Sequence, residues 1–236
     1  MMFFVGAHQP QIAKHLERSF VSINVLRKRK SDFQVNDWIL DSGAFSQILN
    51  HGEFIESPED LGRQAIRWQK CGNLLRAVSQ DYMCEAHMLE KTGLTVRQHQ
   101  EKTCERWKRF HAVVGDLGMP VLQGFRPQEY VEHLGMYGDL PDWVGVGSVC
   151  KRNGNPSSVL EVLGSIKSAR PSLKLHGFGL KTTALAWGAI RDLLFSADSM
   201  AWSYAARYSG RDANSWREAV AFAKKIESQG IQEQLL

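Results

Sequence analysis

Asp41 closes the apolar run Trp38–Asp41 and is followed at once by Ser42-Gly43-Ala44-Phe45. Asp198 sits in Phe195-Ser196-Ala197-Asp198-Ser199-Met200-Ala201-Trp202, an acid among largely apolar neighbours. An acid in such a setting has to be hydrogen-bonded, paired or functional. Two carboxylates at one mouth suit reactions through oxocarbenium-like states, in which one attacks or shields a sugar carbon and the other moves protons. The structural alternatives are an Asx-turn or helix cap for Asp41 and a satisfied buried acid for Asp198. Asp81 and Gln123 also end apolar runs. A carboxylate accepts from an exocyclic amine and a ring N–H, and an amide both gives and accepts, so this couple fits a purine-like base. Gly145, Gly147, Gly177 and Gly179 leave room for a flat ring. Phe45 and Phe178 are candidates to sandwich it, with core packing as the alternative. His8 and His176 stand at strand ends as weaker candidates.

These residues need elements that bring them together. Eight short apolar runs recur along the chain: Phe3–Ala7, Phe20–Leu26, Trp38–Asp41, Ala77–Asp81, Pro120–Gly124, Trp143–Gly147, Leu173–Gly179 and Ser199–Tyr204. Helix-period stretches lie between the later ones, at Leu61–Gln69, Thr95–Val114, Pro127–Tyr137, Ser157–Ser168, Thr183–Phe195 and Asn214–Ser228. Alternation at this spacing predicts an α/β fold with a parallel sheet. A single (β/α)8 TIM-type barrel spanning 1–236 accommodates it, and an open doubly wound sheet is the alternative. Connections among the first strands are short, so the barrel is expected to be irregular near its N-terminus. In such a barrel the carboxyl ends of the strands converge on one mouth.

Hydrophobic residues make up 43% and charged residues 23% of the 236 positions, which predicts a packed core and excludes global disorder. No apolar run is long enough to span a membrane, and the start lacks the basic and apolar regions of a signal peptide. Cys71, Cys84, Cys104 and Cys150 form no C-x-x-C pair and read as reduced thiols of a cytoplasmic protein. Neither a metal site nor a cofactor is expected. The net charge of +4 is compatible with a polyanionic partner. Arg27, Lys28 and Arg29 follow the second run, Lys151 and Arg152 the sixth, and Arg207 and Arg211 the eighth, so they are candidate phosphate contacts, with a solvated face as the alternative. Lys102, Arg106, Lys108 and Arg109 with Trp107 make a further basic helix.

Taken in order, the motifs resemble the tRNA-guanine transglycosylase superfamily. Asp41-Ser42-Gly43-Ala44-Phe45 resembles its D-S-G-G-F motif, Asp81 falls in its F-D-E-C region, Leu122-Gln123-Gly124-Phe125 resembles V-Q-G-G, Val144-Gly145-Val146-Gly147 resembles L-A-V-G, and His176-Gly177-Phe178-Gly179 resembles M-G-V-G. The closer likeness is to the DpdA-like branch, which inserts 7-deazaguanines into DNA; Val5–Pro10, Gly145–Cys150, His176–Thr182 and Ser196–Ser203 resemble that branch's signatures. The resemblance implies Asp198 as nucleophile and Asp41 as general acid/base. It implies Asp81, Gln123, Gly147, Gly177, Phe45, Phe178, Ser42 and His176 around the base. Absence of cysteine after Cys150 implies that the zinc subdomain of the tRNA enzymes is missing. DNA is then the expected partner, with a free 7-deazaguanine such as 7-cyano-7-deazaguanine as co-substrate, in the cytoplasm of a bacterial cell or a phage-infected host. A homodimer or a partner protein is left open. The rival readings are a tRNA-directed transglycosylase, a nucleoside hydrolase or DNA glycosylase, and a barrel that binds nucleic acid without catalysis.

Overall fold

A computed structural model describes residues 1–152 and 155–232. Its strands are β1 (Met2–Gly6), β2 (Arg18–Ser22), β3 (Asp37–Asp41), β4 (Asn73–Val78), β5 (Gly118–Met119), β6 (Val121–Leu122), β7 (Trp143–Val146), β8 (Lys174–Gly177) and β9 (Leu194–Ser199). All pairings are parallel, in the order β5-β4-β3-β2-β1-β9-β8-β7-β6. The two ends of that order are consecutive in the chain and flank Pro120, which has no N–H to give. Met119 O accepts from Ser79 N–H on one side at 3.0 Å. Pro120 O and Leu122 O accept from Gly145 and Gly147 on the other at 2.8 and 2.9 Å. One stave broken at a proline therefore closes the ring, which makes a nearly closed barrel and excludes the open sheet.

Helices α1 (Pro10–Ala13) and α2 (Ile23–Leu26) follow the first two strands and are single turns. The later crossovers carry α3 (Ala44–His51), α4 (Pro58–Trp68), α5 (Ala86–Thr92), α6 (Val96–Val114), α7 (Pro127–Met136), α8 (Pro156–Ala169), α9 (Thr182–Leu185), α10 (Gly188–Leu193), α11 (Ala201–Tyr208) and α12 (Trp216–Gln232). The irregular N-terminal side is thus present. The starts are written in the sequence. Ser57 caps α4, accepting from Asp60 N–H at 3.1 Å with Pro58 at the first helical position. Thr95 and Gln98 form a capping box at α6. α12 returns to cover β1, with Phe222 edge-on to Phe3 at 5.8 Å.

Three expected boundaries are corrected. The run Phe20–Leu26 is strand only to Ser22, whose hydroxyl accepts from Asn24 N–H and turns the chain into α2. The expected helix Thr183–Phe195 divides into α9 and α10, and Phe195 belongs to β9. The last strand, β9, is Leu194–Ser199, and most of the eighth apolar run, Ser199–Tyr204, is helix α11. That shift puts Asp198 at the carboxyl end of its strand.

Period-two alternation sorts the residues into two layers. Phe3, Val5, Trp38, Leu40, Ala77, Leu122, Val146, Leu175 and Ala197 face the helices. Phe4, Ile39, Val78, Met119 and Val121 fill the barrel interior with Trp143. Trp38 is fully buried, edge-on to Phe33 at 5.4 Å. Trp38→Ala is expected to lower unfolding free energy by about 3–5 kcal/mol through the cavity it leaves. Chemical denaturation checks this, read as a lower midpoint at unchanged slope.

Candidate active site

The alternation that points Ile39 inward also points Asp41 inward, and likewise Gln123 after Val121, Gly147 after Gly145 and Asp198 after Ser196. They meet in a cavity of about 230 Å³ at the carboxyl ends of the strands. Phe20, Phe45, Phe178, Val78, Met83, Ala44, Gly179, Ser148, Cys150, Asp81 and Glu85 complete its lining. Four carboxylates and, among the described residues, no lysine or arginine therefore line it.

Asp198 is 6% exposed. Its Oδ1 accepts from Gly179 N–H at 3.0 Å and lies 3.3 Å from His176 Nε2. His176 Nδ1 lies 2.8 Å from Ser196 Oγ, which accepts from Trp143 Nε1–H at 3.0 Å. An indole can only donate, so the Ser196 proton is free for His176 Nδ1, an arrangement that leaves Nε2–H to face the carboxylate. The chain Trp143, Ser196, His176 therefore aims Asp198. His176 does not line the cavity, and its expected contact with a base is replaced by this hold on the carboxylate.

Asp41 is the neighbouring acid. Gly43 N–H donates to its Oδ2 at 3.1 Å, and Ser22 stands beside it on β2. Removal from water pushes its pKa up from 3.8 to about 6; the charge of Asp198 pushes the same way, while the Ser22 hydroxyl and the backbone donors oppose it. Gly43 adopts φ 70°, and a Cβ there would strike the Asn24 amide. A glycine is thus required for the turn that follows Asp41.

Asp81 leaves β4 in the loop after Val78 and accepts from Gln123 Nε2. Burial raises its pKa from 3.8 to about 7, with the Gln123 bond opposing and the charges of Asp41 and Glu85 adding. Gln123 is fixed from behind: its N–H donates to His133 Nδ1 at 2.8 Å, and its carbonyl accepts from Gln100 Nε2 at 2.9 Å. Burial holds His133 down at about 3, so it is the neutral acceptor that this bond needs. A Cβ on Gly147 would lie 2.1 Å from Gln123 Nε2, so glycine is what lets the amide reach Asp81.

Ser148 and Glu85 were not singled out in the sequence. Ser148 has φ 55°, the one non-glycine with positive φ among the described residues. Its Oγ lies 2.7 Å from Gln123 Oε1 and 3.0 Å from Glu85 Oε2, and accepts from Cys84 N–H at 3.0 Å. One hydroxyl proton serves two acceptors. Strain of this kind gathers at functional sites.

Other expected contacts are placed elsewhere. Gly177 has outward parity; a Cβ there would meet Leu180 and Leu194 behind the strand, and Gly179 takes its place in the cavity. Ser42 also faces away from the cavity, its hydroxyl buried without a hydrogen-bond partner among the described residues. Phe178 is partly buried and packs on His176 at 4.8 Å, and Phe45 stands at the rim, 44% exposed.

A family model described as DpdA, DeoxyPurine in DNA protein A, matches residues 1–227. The chain belongs to the DpdA family. A comparison with curated proteins gives no match. The family's description ties this barrel to purines in DNA.

The cations of this DpdA-family chain divide by what already holds them. Arg27 is clamped by both oxygens of Glu56, Arg29 by the carbonyls of Ser31 and Asp32, and Arg211 pairs with Glu218 at 3.0 Å. Arg152 donates to Ser148 O, Phe125 O and Ser158 Oγ. These four candidate phosphate contacts already have partners within the fold. Lys28 and Arg207 stand exposed. The Lys151 side chain lies outside the described residues. On the outer helix α6, Trp107 is buried, Arg106 bonds Gln80 and Glu56 O, and Arg109 bonds Glu59, so this helix packs on the barrel. Among the described residues no group of His, Cys, Asp or Glu is arranged to hold a metal ion, and no helix is long and apolar enough to cross a membrane.

Proposed function

We propose that this chain exchanges guanine in DNA for a 7-deazaguanine base. The observation that carries the reading is one cavity holding Asp198, Asp41 and the Asp81–Gln123 couple at the carboxyl ends of β9, β3, β4 and β6. Asp198 attacks C1′ of the target nucleotide, and the C1′–N9 bond breaks. Asp41, with a pKa near the working pH, gives its proton to the leaving guanine. The covalent sugar–aspartate ester is then displaced by the incoming base through N9, and Asp41 takes the N9 proton. Charge and atoms balance over the two halves. No electrons pass between the substrates, so no redox cofactor enters the scheme. Asp81 accepts from N1–H and the 2-amino group, and the Gln123 amide donates to O6. The target leaves the base stack to reach Asp198, at a cost of a few kcal/mol.

The test is base incorporation. The protein is incubated with guanine-containing DNA, and separately with tRNA, in the presence of 7-cyano-7-deazaguanine, and the digested nucleosides are measured by mass spectrometry. A deazaguanine deoxynucleoside from DNA supports the reading. Modified ribonucleoside from tRNA alone, or abasic DNA without incorporation, removes it.

The Ser148 hub gives a separate expectation. Ser148→Gly keeps the positive φ and deletes the hydroxyl that fixes the Gln123 amide. Affinity for free guanine is expected to fall about 10-fold, the worth of one buried hydrogen bond. Titration calorimetry reads it; unchanged affinity would leave Ser148 no part in positioning Gln123.

A further inference from the structure

Helix α11 begins just after Asp198 and Met200, at the rim of the cavity. Its inner face is firmly anchored. Trp202 is buried, donates from Nε1 to Gly6 O at 2.9 Å and stacks on His8 at 5.3 Å. His8 is in turn held by Asn214 Oδ1 at 2.8 Å. Ala206, one turn on from Trp202, is buried too.

The outer face has no such employment. Tyr204 and Tyr208 are 72% and 85% exposed, the most exposed large apolar side chains among the described residues. They lie one turn apart, their rings 6.4 Å between centroids and 17° from parallel. Arg207 lies between them in sequence and is exposed, whereas Arg211 is taken by Glu218. An anchored helix thus presents two near-parallel rings and a cation to solvent, beside a cavity whose own lining is acidic. Exposed aromatic faces with an adjoining guanidinium suit unpaired nucleobases and their phosphates.

We propose that Tyr204, Tyr208 and Arg207 form a stacking surface for the DNA nucleotides next to the target, so that the strand must carry consecutive unpaired bases. This rests on DNA being the substrate of the cavity. Asp198 lies at the cavity wall, so the target sugar descends to it while its neighbours stay at the rim. A neighbour still inside a duplex has both base faces covered and offers nothing to the tyrosines. An unpaired neighbour offers an open face, and Arg207 meets the phosphate alongside.

The test measures dissociation constants by fluorescence anisotropy for four labelled DNAs of one sequence: single strand, full duplex, duplex with one unpaired nucleotide, and duplex with a longer unpaired bubble. Single strand and long bubble are expected to bind at least about 10-fold tighter than the other two, the scale of one stacked base. Tyr204→Ala with Tyr208→Ala erases that preference, and the double Tyr→Phe variant, which keeps both rings, restores it. Arg207→Ala weakens all four and lowers the salt dependence. These residues are exposed, so folding is not at stake in the variants. Equal binding of duplex and single strand, or a preference that survives the double alanine variant, overturns the proposal, as does the same preference with RNA and no binding of DNA. Exchange of labelled guanine into single-stranded DNA by the unaltered protein is measured separately. Its absence alongside the expected binding pattern would remove the base-exchange reading and leave the surface standing.

Discussion

Asp198→Asn is expected to lower base exchange by about ten-thousand-fold or more, because an amide cannot form the glycosyl ester. The substitution is close to isosteric. The asparagine carbonyl still accepts from Gly179 N–H and from His176, so the donor chain behind it keeps a partner. Thermal unfolding should therefore stay near that of the parent, and binding of free guanine to Asp81 and Gln123 should persist. The decisive readout is the covalent protein–DNA adduct, trapped by denaturation before the second base is added. The parent should show it and Asp198→Asn should not. An adduct that persists in the variant would falsify the assignment of Asp198 as nucleophile.

Asp41→Asn should cost about a hundred- to ten-thousand-fold in adduct formation, the usual worth of general acid catalysis. In the parent the same step should fall as pH rises through about 6, because only the protonated carboxyl helps guanine leave. The variant should lose that limb. Stability should fall over the same pH range. Asp41 and Asp81 hold protons more tightly folded, near 6 and 7, than the ordinary 3.8 of the unfolded chain. Their protonation stabilises the fold fully below about pH 4, and that contribution is lost as pH rises through 6 to 7. At pH 8 the parent carries two unfavourably buried charges and Asp41→Asn carries one. The variant should then be more stable, by roughly 1–3 kcal/mol. Denaturant titrations at pH 4.5 and 8 check the sign: the gap between variant and parent should open as pH rises. A variant that is less stable than the parent at pH 8 contradicts the burial argument.

Much of this arrangement was legible because inward parity at a strand's carboxyl end is a property of the sequence. Asp41 and Gln123 were picked out because each ends an apolar run, and alternation along the strand turns both inward. The same rule explains Gly177 and Ser42, which were assigned to the base but alternate to the outer face. The run after Asp198 was misread because Met200-Ala201-Trp202 is apolar, and short apolar runs fit strand and helix equally. Only the fold shows that Trp202 and Ala206 turn inward together while Tyr204 and Tyr208 do not. Glu85 and Ser148 were missed for another reason. Both belong to irregular backbone, where no periodicity says which way a side chain points. Their contact spans 63 positions in sequence, which only the closed ring brings together. The engaged arginines were equally hidden, since the partner of Arg27 lies on a different loop.

The acid-rich lining has a consequence for competition inside a cell. Free guanine nucleotides carry the same base as the leaving group of the proposed exchange, so they would compete for the site. Their phosphates bring two or more negative charges to a cavity walled by four carboxyls, two of them already resisting ionisation. Repulsion at such short range in a poorly solvated space is strong. On the proposed reading the cavity would work as a charge filter, admitting a neutral free base and turning away the nucleotide pool. A DNA strand would escape the filter if only its base and sugar enter, while its phosphates remain outside.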